Sequence, residues 1–379
     1  MGRNAALALV VTVLWAVTFA PTANAAPMVR TPPVYIVGQD LDALRGYFAS
    51  RCCVRPDGAT AYVSLYKVLS KDQGFGGIGL NAAGEPIHTE TEWGSGPVSA
   101  YKTATQFGVR DLAVGLSITN NELPTGMGEL LAGRRDAEIR QIAKLAKHVK
   151  GTMFLRIGYE YDGAWNKGYE DRNAYIQAWR RIVDILRHEG ATNIEYVWQA
   201  SASPIDDIID RAHEDIADWY PGDDYVDWVG FSWFLSPDEK QGVGTYPAPP
   251  ARVLMDEAVG FARRHHKPAM IAESAPQGFD IKAGFRANIS PLWDGPSHGA
   301  VRAVTSRQIW DSWYAPLFAY MAANRDVVRG LAYINCDWDN QRVWGPPYRE
   351  GFWGDTRLQA NRKIAGRWNQ AITQWRNAR

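Results

Sequence analysis

Cysteine and histidine are scarce in this chain. Three cysteines (Cys52, Cys53, Cys336) and seven histidines are spread over 379 residues. No cluster of them has the spacing of a metal-ligand set, so neither a metal nor a cofactor is expected. The odd cysteine count leaves at least one thiol free or paired between chains, and Cys52 and Cys53 are adjacent, so at most one of them is expected to reach Cys336. An excess of charge is also missing. Basic and acidic residues number 41 each, the formal net charge is +0, and no long basic run exists, which argues against nucleic acid as a partner. No glycine-rich phosphate loop follows the first apolar segment, so an open dinucleotide-binding sheet is disfavoured. Long apolar runs occur in one place only. Arg3 precedes an apolar run from Ala5 to Ala20 and then Pro21-Thr22-Ala23-Asn24-Ala25, the layout of an export signal cut after Ala25. The expectation is a signal peptide over 1–25, one domain over 26–379, secretion or periplasmic export, no membrane contact once the signal is removed, and a monomer.

Aromatic residues, by contrast, are abundant, with 16 Trp and 17 Tyr. Large cores collect tryptophan, but so do surfaces that stack on the C–H faces of sugar rings. Eight apolar segments read as strands. They are centred on Val34–Gly38, Thr60–Leu65, Leu112–Leu116, the run opening at Met153, Ile194–Gln199, Val226–Trp233, Ala269–Ala272 and Leu331–Asn335. Most are separated by helical patterns, at 41–49, 100–107, 132–149, 173–189, 251–265 and 306–324, and a last helix covers 359–375. Residues 70–97 read as a long loop. Strands alternating with helices point to an α/β fold, a single (β/α)8 barrel, whose chemistry belongs where strands run into the following loops.

Two strands deliver a glutamate to that place. Met153-Phe154-Leu155-Arg156-Ile157-Gly158-Tyr159-Glu160-Tyr161-Asp162-Gly163-Ala164-Trp165-Asn166 runs from core strand into a polar and aromatic cluster, and Ala269-Met270-Ile271-Ala272 stops at Glu273. The two glutamates stand at the ends of strands four and seven, 113 residues apart, and face each other only if the barrel closes. A pair of carboxylates is what glycoside hydrolysis requires. One attacks the anomeric carbon and the other, kept protonated, delivers a proton to the leaving oxygen. Arg156, on the strand below Glu160, is placed to hold one carboxylate charged. Trp198 and Gln199 end strand five, where they either meet substrate hydroxyls or tie down a loop. Asp40 reads as a helix N-cap, and Asp206, Asp207 and Asp210 as a solvated helix start. Trp293, Trp344 and Trp353 lie in loops as distal sugar contacts or plain anchors.

The segment from Arg156 to Asn166 resembles the acid/base motif of glycoside hydrolase family 26, Trp219 to Gly230 resembles that family's approach to strand six, and Ala269-Met-Ile-Ala-Glu273-Ser is similar to its nucleophile strand. The resemblance implies a secreted retaining endo-β-glycanase of the β-mannanase type, acting on a polysaccharide or oligosaccharide. It makes Glu160 the acid/base, Glu273 the nucleophile and Trp165 a sugar platform, sets Trp233 beside the nucleophile, and puts Trp338 on the floor of the cleavage subsite. Tyr159, Asp162 and Asn166 join the substrate contacts. The family motif has His directly before the acid and Asn two residues after it. Here those positions are Tyr159 and Asp162, which puts mannan specificity in question without touching either carboxylate. The competing readings are a non-catalytic carbohydrate-binding barrel descended from such an enzyme, and an adhesion protein using the same aromatics.

Overall fold

The computed structural model describes residues 32–70, 74–237, 248–288 and 299–378. The expected signal segment and Trp293 lie outside them. Eight parallel strands form a closed ring: β1 (Val34–Val37), β2 (Gly58–Ser70), β3 (Asp111–Ser117), β4 (Met153–Ile157), β5 (Ile194–Ala200), β6 (Trp228–Trp233), β7 (Ala269–Ser274) and β8 (Val328–Tyr333). Each pairs with its chain neighbour, and β1 pairs with both β2 and β8, which closes the cylinder. The expected (β/α)8 barrel is therefore the fold, and its eight strands fall where the apolar runs stand in the sequence.

Helices cover the outside: α1 (Leu41–Ser50), α2 (Ala100–Gln106), α3 (Gly126–Leu131), α4 (Asp136–Ala146), α5 (Arg172–His188), α6 (Pro204–Asp210) and α7 (Ala251–Arg264), then a helical run over 306–323 and a last helix (Arg362–Asn377). α5 shows why they sit there. It buries Tyr175, Ala178, Trp179, Ile182, Val183 and Leu186, one stripe at helical spacing. Asp171 caps its start by accepting from the Ala174 N–H at 3.0 Å.

Three elements depart from the sequence reading. The helix expected over 132–149 is shorter, Asp136–Ala146, and an unexpected short helix, Gly126–Leu131, precedes it, with Gly133 turning at φ +78° between the two. The run over 306–323 opens into a wider turn at Trp310–Tyr314, just ahead of Pro316, which has no N–H to return to the preceding turn. The loop expected over 70–97 contains Gly74–Gly76, paired onto β2, and a two-residue ladder of Thr91–Glu92 with Pro97–Val98. Such pieces are too short to leave a periodic signature.

Alternation along each strand divides the side chains between two cores. The inward set at the lower end of the barrel is Val34, Ile36, Ala113, Phe154, Val197, Trp228, Met270, Ala272 and Ala332. Leu155, Trp198, Phe231, Trp233 and Ile271 belong instead to the larger core shared with the helices. Two residues further along the same inward rows, the barrel becomes polar: Arg156 above Phe154, Gln199 above Val197, and Ser232 above Gly230. Glu273 should by alternation face outward with Ile271. A bulge between Ile271 and Glu273 sets Glu273 opposite Ser232 and turns its side chain to the interior.

Phe154 packs edge-on against Trp228 in the interior, with ring centroids 5.6 Å apart. Phe154→Ala is expected to remove about 3–5 kcal/mol of stability, measured as the denaturant midpoint at unchanged slope. A midpoint within experimental error of the parent would contradict this packing.

Candidate active site

A cleft of about 380 Å³ opens over the strand ends, and Glu160, Glu273, Tyr159, Trp165, Asn166 and Trp338 all line it. The two glutamates thus share one cavity, as the closed barrel requires.

Glu273 is held from below by Arg156. The guanidinium is fully buried (0 % exposed) and donates through Nη1 to Oε1 of Glu273. The same Nη1 donates to Gln199 Oε1 at 2.9 Å. Nε and Nη2 have no hydrogen-bond partner among the described residues. The guanidinium instead lies over the faces of Tyr62 and Tyr159, at 5.0 and 5.3 Å from the ring centroids, where the rings' negative faces offset part of its lost hydration. Gly115 makes this arrangement possible. A Cβ there would stand 2.9 Å from Nη2 of Arg156 and 2.7 Å from Cδ1 of Tyr62.

Glu160 sits in a different environment. Its backbone is left-handed, φ +53°, a strain of about 1–3 kcal/mol for a residue with a side chain. Asn166 holds that turn by donating to the Glu160 carbonyl at 2.8 Å. The carboxylate accepts from Ser232 Oγ at 2.7 Å on Oε1 and from Trp165 Nε1 at 3.1 Å on Oε2. Desolvation, followed by the charge of Glu273, pushes its pKa up to about 8, against the Ser232 hydrogen bond, which favours the ionised form. The surroundings of Glu160 thus favour its protonated form, while Glu273 lies against a fixed cation.

Several expected contacts lie elsewhere. Trp198 and Trp233 do not reach the cleft. Both are 0 % exposed, Trp198 stacked on Tyr161 at 4.4 Å and Trp233 against Tyr320 at 5.2 Å, because both occupy the outward row of their strands. Gln199 and Arg156 are buried beneath the cleft; Arg156 meets Glu273, and Gln199 meets Arg156 and Ser232. Asp162 points away from it and accepts from the Ser201 N–H at 2.6 Å. With Asp206, which accepts from the Ala164 N–H at 2.6 Å, it braces the Glu160 loop from behind. Asp206 and Asp207 are buried, not solvated as the sequence suggests. Trp165 lines the cleft but also bonds Glu160, and Asn166 serves the loop's backbone. Asp40 is the N-cap it reads as, accepting from the Asp42 and Ala43 N–H groups at 2.9 Å each. The three cysteines are free thiols.

Sequence reasoning missed Ser232, Tyr62 and Trp93, whereas Trp338, expected on the subsite floor, and Trp344 and Trp353, expected as sugar contacts or loop anchors, do line the cleft. One wall is aromatic: Trp338 stacks on Trp353 at 4.8 Å, Trp344 meets both edge-on, and Phe234 abuts Trp353 at 4.9 Å. Trp93 also lines the cleft, with Lys67 Nζ over its ring at 4.7 Å and 3.5 Å from Glu122, and its segment is tied to that of Trp344 by the Val343 N–H, which donates to the Gly94 carbonyl at 2.9 Å. Ser232 had a signal. Placing Phe231 and Trp233 outward forces the residue between them inward.

Residues 106–260 match the family model described as glycosyl hydrolase family 26. Over 340 residues the chain is 32 % identical to the β-1,3-xylanase TXYA of a Vibrio species, covering 89 % of this chain and 64 % of that protein. It is 31 % identical to a β-1,3-xylanase of an Alcaligenes species over 339 residues, 89 % and 62 % of the two chains. The chain thus spans somewhat less than two thirds of the length of these relatives. In three dimensions it is similar to the catalytic domain of the family-26 endo-β-1,4-mannanase of Bacillus sp. JAMB-750 (TM-score 0.50, 14 % identity, 91 % and 90 % of the chains covered). It is also similar to xylanase XynB of Paenibacillus barcinonensis (TM-score 0.53, 11 % identity, 89 % and 95 % covered).

The raised Glu160 leaves a signature in stability. From its ordinary value of 4.5 up to about 8, the folded chain holds a proton that the unfolded chain has released, so stability falls as pH rises through that window and levels off above it. Glu160→Gln removes this term. Relative to the variant, the parent is expected to lose stability steadily across the window in unfolding measurements from pH 4 to 9. Parallel curves for the two proteins would contradict the shift.

Proposed function

This chain belongs to glycosyl hydrolase family 26, and from that premise we propose that it is a retaining endo-β-glycanase that cleaves β-1,3-xylan. The observation that carries the reading is the pair of glutamates in one cleft, one protonated by burial and by its neighbour's charge, the other set against Arg156. In the first step a carboxylate oxygen of Glu273 bonds to the anomeric carbon as the glycosidic bond breaks. The proton of Glu160 passes to the leaving oxygen. In the second step Glu160, now ionised, takes a proton from water as that water attacks the same carbon, and Glu273 is released.

Retention is supported by the closeness of the two groups. Glu273 pairs in register with Ser232, Ser232 bonds Glu160, and the charge of Glu273 is felt strongly at Glu160. Cleavage within chains is supported by a cleft lined by Trp93, Trp165, Trp338, Trp344 and Trp353, which offer stacking faces to several sugar units. The choice of β-1,3-xylan over mannan rests on the named activity of two relatives and on Tyr159 in place of the family's histidine. The leader pattern over 1–25 supports export of a domain that starts near residue 26, and a polysaccharide substrate fits that location.

Glu160→Gln is expected to slow hydrolysis of a xylan by about 10²–10⁴-fold. An aryl glycoside whose leaving group needs no proton should be far less affected. Equal losses on both would contradict the acid role. In a reducing-sugar assay over β-1,3-xylan, β-1,4-xylan, β-1,4-mannan and β-1,3-glucan, the parent should release sugar chiefly from β-1,3-xylan. Release from mannan alone would overturn the substrate assignment, and no release from any glycan would favour a binding barrel.

A further inference from the structure

The polar groups under the cleft form one unbroken chain. It runs Glu273, Arg156, Gln199, Ser232, Glu160, with Arg156 Nη1 to Gln199 Oε1 at 2.9 Å, Gln199 Nε2 to Ser232 Oγ at 3.1 Å and Ser232 Oγ to Glu160 Oε1 at 2.7 Å. Counting donors along it leaves one arrangement. Arginine only donates, so the Gln199 carbonyl must face it and the Gln199 amide must face Ser232. Ser232 Oγ receives that N–H, so its single proton points at Glu160. Oε1 of Glu160 is thereby an acceptor in every protonation state that keeps the chain intact.

We propose that Ser232 and Gln199 are positioning residues that relay the donor character of Arg156 to Glu160, confining the transferable proton of Glu160 to Oε2. That oxygen faces Trp165 Nε1, a pure donor, so a hydroxyl on Oε2 keeps one lone pair for the indole and has its hydrogen free for the leaving oxygen. One cation then serves both carboxylates, Glu273 directly and Glu160 through two neutral links. The proposal rests on the acid role given to Glu160 above for its catalytic meaning, but not for its test. The charged groups that act on Glu160 besides the relay are Glu273 and Asp162.

The test is the titration of Glu160 itself, followed by ¹³C NMR of the full-length protein with labelled glutamate side chains, the signal being assigned by its loss in Glu160→Gln. Removing a donor to the ionised form raises a carboxyl's pKa, so Ser232→Ala is expected to move the midpoint up by about one pH unit. Ser232→Thr should restore it. Gln199→Met should move it in the same direction. In the double variant Ser232→Ala/Gln199→Met the shift should equal that of Ser232→Ala alone, because Gln199 acts only through the hydroxyl. An unmoved midpoint in Ser232→Ala overturns the proposal, as do additive shifts in the double variant. Should Ser232→Ala not fold, Gln199→Met alone decides: a midpoint equal to the parent's overturns the relay. None of these readings needs turnover. If Glu160→Gln kept full activity while the titrations behaved as stated, the acid assignment would fail and the relay would stand.

Discussion

A single buried guanidinium organises the upper end of this barrel. Arg156 is fully buried and can only donate. An isolated charge in that position is untenable, and removing one partner of such a pair typically costs about 3–5 kcal/mol. Its neighbours are therefore constrained. Glu273 must be an anion turned inward, Gln199 must present its carbonyl, Tyr62 and Tyr159 must offer ring faces, and position 115 must lack a side chain. The bulge in β7 is the backbone's answer to the first of these demands. The hydroxyl of Ser232, set opposite Glu273, then carries the same influence to the second glutamate.

Two identical side chains thus acquire different properties from position alone. Glu273 has a fixed cation within contact. Glu160 is half-buried on a strained turn beyond the end of β4, facing the charge of Glu273, with neutral donors on both oxygens. The turn is held at several points: Asn166 on its carbonyl, Asp162 and Asp206 behind it, Trp165 across its face. Retaining glycoside chemistry needs one carboxyl that gives up a proton and one that gives up an electron pair, and the proposed function assigns these roles to the two unequal surroundings in one cleft.

The sequence displayed the barrel well, because buried parallel strands are continuous apolar runs and those runs survive reading without context. It displayed the two glutamates for the same reason, since each ends such a run. What it hid was the direction of side chains. Trp198 and Trp233 looked like sugar contacts from their place at strand ends, yet they occupy outward rows, and the inward neighbours Gln199 and Ser232 face the site. Alternation could have assigned those rows. It would still have sent Glu273 outward, because a one-residue bulge has no compositional mark. The short helix ahead of Gly133, the wider turn ahead of Pro316 and the short ladders between 74 and 98 escaped for a related reason, each being decided by a few residues. Tyr62 and Gly115 gave no signal at all, as their roles exist only once the ring of strands has closed around Arg156.

The proposed mechanism requires Glu273 to form a bond to sugar while Glu160 waits in its protonated state. The most direct measurement is to react the protein with a 2-deoxy-2-fluoroxyloside bearing a good leaving group and to locate the label by mass spectrometry of its peptides. The account predicts one stoichiometric adduct, on Glu273. Labelling of Glu160, or rapid turnover of other substrates with no adduct on either glutamate, would contradict it.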